Sequence, residues 1–232
     1  MTLRIAVLAS GGGSNLQAIL DHFDALGERR AATVAVVASD RSTAGALERA
    51  ERRSIPTAVL SHDSRDDGQS LDRVVDEHKV DLIALAGYVK MIPEHIVARF
   101  EGRMFNVHPA LLPAFGGKGM YGTRVHHAVI ASGARVSGVT VHLVDTVYDH
   151  GAIVAQWPVP VFHSDDAGTL AARVLRVEHV LYPRVLDAVA AGRLSLREPA
   201  TPGAPIDAKP AFTLLPHEDS RLAENIELAL AR

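Results

Sequence analysis

The sequence predicts an α/β fold, a Rossmann-like wound and mostly parallel sheet that ends in an antiparallel edge hairpin. Three observations support this prediction. Residues 3–9 form a nearly continuous apolar run, which is typical of a strand buried on both faces of a parallel sheet. Strand-like and helix-like runs then alternate up to about residue 108, as in right-handed βαβ units. Residues 136–144 and 153–161 are two further strand-like runs joined by a short turn, which indicates a hairpin.

The remaining elements follow from spacing and from helix and strand breakers. Further strands are predicted at residues 34–38, 57–60, 81–86 and 104–107, and further helices at 44–53, 71–78, 94–100 and 167–191. Pro109 ends the strand at 104–107, because proline cannot donate to a sheet ladder. Asp165 or Asp166 suits the start of the last helix. Two apolar stripes at helical spacing support the first and last helices: Leu16, Ile19, Leu20 and Phe23, and Leu170, Val174, Val177, Leu181 and Val185.

Composition limits the classes of partner. The chain has 232 residues, 47% hydrophobic and 22% charged, which is enough for one sizeable core. Its net charge of -3 and pI near 6.4 argue against a nucleic-acid-binding face, and no run approaches the roughly 20 apolar residues that span a bilayer. The absence of cysteine excludes disulfides, thiolate metal sites and thiol nucleophiles. This composition is compatible with a reducing cytoplasm but does not require one; we expect a cytoplasmic protein that binds small molecules, not nucleic acid or membrane.

A glycine turn at residues 10–15 (SGGGSN) joins the first strand to the first helix. Unpaired N–H groups and the positive end of the helix dipole make such a turn an anion site. Three interpretations stay open: a phosphate monoester site, a structural tight turn with Ser14 or Asn15 as N-cap, and a dinucleotide site. The last is weakened because Leu16 stands at the third glycine position of the dinucleotide fingerprint, and no Gly-Lys-Ser/Thr of a P-loop is present.

A candidate catalytic group is carried by the strand before Pro109. Asn106 and His108 are two residues apart, so their side chains project to one face, near the end of a strand where open α/β sheets bind ligands. Asp149 follows much later in a tight Asp-His-Gly turn; it could complete an Asn/His/Asp group, or it could simply bond its own backbone. Sequence alone leaves that choice open.

These residue types suit acyl transfer without a covalent enzyme intermediate. Asn106 and a protonated His108 would donate to the oxyanion formed when a nucleophile attacks a carbonyl. A neighbouring Asp149 carboxylate would favour the imidazolium and take up a proton from an attacking amine, directly or through water. The chain contains no Gly-x-Ser-x-Gly elbow and no cysteine that would act as a nucleophile instead.

Other polar residues have more ordinary interpretations. His126 and His127 are expected to be surface or packing residues, since neighbours on a helix point about 100° apart and cannot bind one metal together. His142 is expected to be a hydrogen-bonded strand residue and not a catalyst. The glycine-rich stretch at residues 114–122 is either an active-site lid or a passive connection. Glu178 lies at the border of an apolar stripe, where a carboxylate is usually solvated.

Six motifs in order carry a family resemblance: ASGGGSNLQ from Ala9, LAGY from Leu85, FNVHPALLP from Phe105, VTVHLV from Val139, DHG from Asp149 and RVLRVEH from Arg173. Together they resemble the folate-dependent phosphoribosylglycinamide formyltransferase family of purine synthesis. The resemblance covers residues 3 to about 197. It implies the formyltransferase fold and transfer of a formyl group from 10-formyltetrahydrofolate to the amine of 5'-phosphoribosylglycinamide.

The resemblance also implies roles for individual residues. Asn106, His108 and Asp149 match the family's catalytic group. The ribonucleotide side comprises Gly12, Gly13, Ser14 and Asn15 at the phosphate and Glu178 at a ribose hydroxyl. The folate side comprises Arg65, Val89, Lys90, Met91, Ile92, Leu143, Val144 and Asp145, and Lys90 stands where an arginine is often found. No metal is expected, and a homodimer is one possible assembly.

The resemblance implies one formyltransferase domain at residues 1–198, with a phosphate-binding half at 1–108 and a folate-binding and catalytic half at 109–198. Two segments depart from the family pattern. The segment from Gly116 to Gly122 is longer than the usual link, and the tail at 199–232, in which residues 220–230 could form a short helix, matches no family motif.

Rival interpretations remain within the same fold. Methionyl-tRNA formyltransferases normally add a C-terminal tRNA-binding barrel, and formyltetrahydrofolate deformylases normally begin with a regulatory domain; neither addition is expected from this chain. A non-catalytic nucleotide- or folate-binding module would keep the glycine turn but could lose the Asn/His/Asp group.

Overall fold

The computed structural model describes residues 2–61 and 68–194. Within these ranges the chain forms one seven-stranded sheet in the order β3-β2-β1-β4-β5-β6-β7. Strands β1 to β5 are parallel, whereas β6 is antiparallel to both β5 and β7. The strands are β1 (Leu3–Leu8), β2 (Ala32–Ser39), β3 (Thr57–Val59), β4 (Leu82–Leu85), β5 (Met104–His108), β6 (Val136–Leu143) and β7 (Ile153–Pro160). The predicted wound sheet with an antiparallel edge hairpin is confirmed.

Six α-helices flank the described sheet, and each helix predicted within the described ranges is present. They are α1 (Ser14–Leu26), α2 (Gly45–Arg52), α3 (Gln69–Glu77), α4 (Glu94–Arg99), α5 (Thr123–Ser132) and α6 (Ala167–Ala190). Asp166 caps α6: its side chain accepts from the Thr169 backbone, and the Thr169 hydroxyl accepts from the Asp166 backbone. No helix in the described ranges is long and apolar enough to cross a membrane. The predicted tail at 199–232, with its helix at 220–230, lies outside the described residues.

Two apolar cores lie on opposite faces of the sheet because successive strand residues point in opposite directions. Ile5 and Val7 of β1 join the core under α1, α2 and α6, whereas Ala6 and Leu8 join the core under α3 and α4. β5 follows the same alternation. Its residues Phe105 and Val107 enter the first core. The alternate polar residues, Asn106 and His108, therefore lie on the opposite face.

The chain reverses its winding direction between β1 and β4, which are neighbours in the sheet. In wound sheets a crevice opens at such a switch point, beyond the carboxyl ends of the strands. Two hydrogen bonds join the turns after the two strands. Ser10 N–H donates to Gly87 O at 3.1 Å, and Val89 N–H donates to the Ser10 hydroxyl at 3.1 Å. The glycine turn and the segment after β4 therefore share one edge of this crevice.

The connection between β6 and β7, residues 144–152, folds back over the sheet. It leaves β6 beside the start of β5, where Val144 N–H donates to Met104 O at 3.0 Å. Gly151 allows the return, since a Cβ at this position would lie 1.9 Å from Leu143 O. The fold-back carries Asp149 toward the polar side chains of β5.

Candidate active site

Asn106, His108 and Asp149 meet on one side of β5. Asp149 Oδ1 lies 3.4 Å from Asn106 Nδ2, and Asp149 Oδ2 lies 3.5 Å from His108 Nδ1. Each carboxylate oxygen thus faces one of the two β5 side chains. The structure therefore brings together the three residues expected to form the catalytic group, and Asp149 is not confined to bonding its own turn.

The glycine-rich loop, residues 114–122, contacts this group from the other side. Gly117 N–H donates to Asp149 Oδ2 at 2.9 Å, and Phe115 O lies 2.9 Å from His108 Nε2. A Cβ at Gly116 would lie 2.5 Å from Leu112 Cδ2, so the backbone packs closely here. Phe115 and Asp149 have φ of 57° and 55°, a region that non-glycine residues rarely adopt. Local backbone strain of this kind is commonly found at functional sites.

The resting protonation states follow from these contacts. Since a carbonyl only accepts, His108 Nε2 carries a proton and donates to Phe115 O. Burial lowers the pKa of His108 below its ordinary 6.5 and outweighs the charge of Asp149, which raises it. Burial raises the pKa of Asp149, but the nearby His142, the charge of His108 and the N–H of Gly117 together lower it by more, so this pKa lies below its ordinary 3.8. At neutral pH the pair is thus a neutral imidazole and a carboxylate; the expected imidazolium is not the resting form.

His142 belongs to the same hydrogen-bond network. It lies directly opposite Asn106 in the β5–β6 register. Its Nδ1 donates to Leu143 O at 2.7 Å, which leaves Nε2 to accept from Asn106 Nδ2 at 3.0 Å. His142 is hydrogen-bonded, as predicted, but its partner is a member of the catalytic group. The sequence signal for this contact is the cross-strand register, which only the pairing of β5 with β6 reveals.

A cavity of about 670 Å³ opens in front of the candidate catalytic group. Of the predicted folate-binding residues, six line it: Val89, Lys90, Met91, Ile92, Val144 and Asp145. Leu143 does not; its side chain packs against the core while its carbonyl holds His142. Arg65 lies outside the described residues. The walls from β4 and from the 144–152 connection therefore coincide with the predicted folate side.

Two of the predicted ribonucleotide-binding residues lie at another wall of the cavity. Asn15 and Glu178 line it, and Asn15 Nδ2 donates to Glu178 Oε2 at 2.6 Å. Asn15 Oδ1 is buried and has no partner among the described residues. Burial raises the pKa of Glu178 to about 7, although the bond from Asn15 lowers it. Glu178 is 7% exposed, so it is not the solvated edge residue that its position on the helix suggested.

The glycine turn leads into α1, which begins at Ser14 and carries Asn15 in its first turn. Gly13 occupies the N-cap position with φ of 74°, and no side chain caps the helix. This excludes Ser14 and Asn15 as N-caps. The first turn of α1 contains no acidic residue, so its N–H groups and dipole face no competing charge. Gly12, Gly13 and Ser14 themselves do not line the cavity.

Two further features line the cavity: His126, expected to be a surface or packing residue, and the glycine-rich loop, for which the sequence left an active-site lid and a passive connection open. His126 is buried and lines the cavity; burial and the nearby His108 lower its pKa to about 4, and its Nδ1 has no partner among the described residues. His127 is exposed, as expected. Residues 117–122 also line the cavity, so the glycine-rich loop forms part of the site and is not a remote connection. Neither feature has a signal in sequence spacing, because both depend on how the loop folds back.

No group of three or more His, Asp, Glu or Cys side chains within residues 2–61 and 68–194 is placed to hold a metal ion. Asn106, His108 and Asp149 present an amide, an imidazole and a carboxylate to the cavity. This arrangement can polarise a carbonyl and accept a proton.

Comparisons with known proteins identify the family of the chain. Residues 3–186 match the family model described as formyl transferase. The phosphoribosylglycinamide formyltransferase of Escherichia coli K12 is 35% identical over 85% of this chain and 92% of its own length. The chloroplastic enzyme of that name from Vigna unguiculata is 44% identical over 86% of this chain, and the match spans 64% of its length.

A solved structure shows the same fold. Phosphoribosylglycinamide formyltransferase from Anaplasma phagocytophilum has a TM-score of 0.77 and 34% identity, covering 85% of this chain and 91% of that one. Family model, relatives and solved structure all cover the sheet and the helices that position the site. The chain belongs to the formyl transferase family, on its phosphoribosylglycinamide formyltransferase branch.

Proposed function

We propose that this protein transfers the formyl group of 10-formyltetrahydrofolate to the amine of 5'-phosphoribosylglycinamide. The observation that supports it most is the convergence of Asn106, His108 and Asp149 on a cavity whose other wall carries Asn15 and Glu178. A group that activates a carbonyl and a group that can bind a ribonucleotide thus share one crevice. The relatives that carry the enzyme's name support the same assignment.

The proposed reaction is direct attack by the substrate amine on the formyl carbon. A C–N bond forms to the amine, the formyl oxygen becomes an oxyanion, and the amine loses a proton. The C–N10 bond of the folate then breaks, N10 takes a proton, and tetrahydrofolate leaves. Preorganised donors at such an oxyanion are typically worth about 10²- to 10³-fold in rate each.

The resting hydrogen bonds suggest how the donors become available. Both hydrogens of Asn106 Nδ2 already have acceptors, the nearer at His142 and the farther at Asp149. The oxyanion replaces Asp149 as the acceptor of the longer of these two bonds. Asp149 accepts the amine proton, directly or through water, and can pass it to His108 Nδ1, 3.5 Å away. His108 then becomes cationic, and its positive charge stabilises the oxyanion until the proton passes on to N10 as the C–N10 bond breaks.

Substrate placement extends this proposal. The phosphate binds at the N-terminus of α1, at Gly12, Gly13, Ser14 and Asn15, and a ribose hydroxyl binds Glu178. The pterin lies against residues 89–92 and 143–145, with Arg65 toward the glutamate tail. The proposal uses no metal. The division into halves 1–108 and 109–198 within a domain at 1–198 is part of it, as are a cytoplasmic location and a homodimer.

An assay with alternative acceptors tests the function. Purified protein with 10-formyltetrahydrofolate is given glycinamide ribonucleotide or no acceptor, and tetrahydrofolate, formate and formylated product are measured. We expect tetrahydrofolate and formylated ribonucleotide in equal amounts only when the ribonucleotide is present. Formate release without it would identify a deformylase instead. Tight binding of both ligands without turnover would identify a binding module.

A further inference from the structure

We propose that Arg49 of α2 is a positioning residue for the phosphate of the acceptor: it fixes the glycine turn and supplies a positive charge that the substrate's phosphate neutralises. The inference rests on the proposed function, because it concerns how that substrate is held. Arg49 does not line the cavity, so it acts through the turn and through its charge.

Arg49 holds the glycine turn at two points. Its Nε donates to Gly12 O at 2.7 Å, and its Nη1 donates to Gln17 Oε1 at 3.1 Å. The two acceptors flank the first residues of α1, where the free N–H groups lie. With its carbonyl committed to the guanidinium, Gly12 cannot turn that oxygen toward a bound anion, which it would repel.

The backbone of α2 supports the same turn. Ala46 N–H donates to Gly11 O at 3.1 Å. A Cβ on Gly45 would lie 3.3 Å from Gly12 Cα, and one on Gly13 would lie 2.7 Å from Ala46 Cα. The helix and the turn therefore touch backbone to backbone, and a shift of α2 moves the residues that present the N–H groups.

The charge of Arg49 lacks an acidic partner in the described part of the chain. Arg53, one turn further along, pairs with Asp21 and Asp24. Arg49 is half-buried, and its acceptors are a backbone carbonyl and a side-chain amide, both neutral. Burial and the charge of Arg49 both lower the pKa of His179, which adjoins Glu178 on α6. A half-buried cation without a counterion beside a helix N-terminus favours a bound dianion.

The test compares Arg49→Met and Arg49→Lys with a matched control, Arg52→Met. Arg52 lies on the same helix, is exposed and pairs with Glu48 at 3.0 Å, so the control removes the same charge from the same element. We expect Arg49→Met to raise KM for the ribonucleotide on the order of 10- to 100-fold. The value of kcat and the KM for the folate should change less than about twofold, which is within the effect of a few tenths of a kcal/mol. Arg49→Lys should recover part of the loss, and Arg52→Met should behave as the wild type.

Binding of inorganic phosphate, measured by calorimetry, separates this inference from the proposed function. Weaker phosphate binding in Arg49→Met supports the inference even if the wild type fails to formylate the ribonucleotide. An unchanged KM and unchanged phosphate affinity in a variant that folds normally would overturn it. A fall in kcat together with a rise in both KM values, with no recovery in Arg49→Lys, would also overturn it. That pattern marks a merely structural residue.

Discussion

At the scale of residues, Asp149 is the group on which the candidate site converges. Its carboxylate faces Asn106, His108 and the Gly117 N–H, and it holds a φ that costs backbone strain. Sequence spacing predicted that Asn106 and His108 share a face, because alternation along a strand is local. It left open whether the candidate Asp149 meets them, because Asp149 reaches them only through the fold-back after β6.

Replacing Asp149 with asparagine should lower the pKa of His108 further. The Asp149 charge raises that pKa against burial, so removing the charge leaves burial less opposed. An NMR titration of the imidazole nitrogens measures this directly. The control is Asp145→Asn in the same connection, whose carboxylate pairs with His150 at 2.8 Å. Identical His108 titrations in wild type and Asp149→Asn would contradict the assigned contact.

Replacing Glu178 with glutamine should raise KM for the ribonucleotide while stabilising the unliganded protein at high pH. The folded pKa of about 7 exceeds the ordinary 4.5, so between these values the unfolded chain binds fewer protons and wild-type stability falls as pH rises. Glutamine stays neutral and avoids this loss, worth about 3 kcal/mol at pH 8 and little near pH 4.5. Urea unfolding at both pH values checks the difference; a constant offset would mean that Glu178 is solvated.

At the scale of elements, strands and helices were predictable because their patterns are local. Where bounds were predicted, the ends differ by no more than about two residues, the usual uncertainty of helix and strand ends. Loops carry the discrepancies. His142 and His126 gained a place in the site from strand register and from the path of the glycine-rich loop, neither of which has a sequence period.

The 144–152 connection offers an element-scale prediction. Gly151→Ala places a Cβ 1.9 Å from Leu143 O, and backbone cannot yield as a flexible side chain can. We expect a loss of about 2 to 4 kcal/mol in unfolding free energy and a lower kcat, because the shift displaces Asp149. Gly168→Ala, whose nearest contact is 3.4 Å in the first turn of α6, serves as control and should not destabilise. A normal melting temperature for Gly151→Ala would show that the turn adapts.

At the scale of the whole molecule, the fold class followed from the alternation of strands and helices and from the hairpin beyond residue 136. The position of the crevice follows from topology, since the winding reverses between β1 and β4. What sequence could not supply is the joint boundary of one cavity by Asn15 of α1, Asn106 of β5 and Glu178 of α6. That convergence depends on long-range packing, such as α6 against α1 and β6.

A chain ending at residue 198 tests the proposed domain. All contacts described for the candidate site are made by residues up to Glu178, so we expect the shortened chain to keep its melting temperature and its turnover with the ribonucleotide. Calorimetry, kinetics and light scattering of the full and shortened chains make the comparison. A loss of turnover would assign the tail a part in the reaction, and a change in mass alone would assign it to assembly.

The elements around the cavity divide two tasks between them. Under the proposed function, the amine-bearing partner is recognised by α1 and α6, whereas the carbonyl is activated by β5 and the 144–152 connection. Because the two groups of elements share no side chain, substitutions in the acceptor-binding group can change which amine reacts. The acid–base residues then stay unchanged. Directed evolution toward new acceptors should therefore vary the neighbours of Asn15 and Glu178 and leave β5 and the 144–152 connection unchanged.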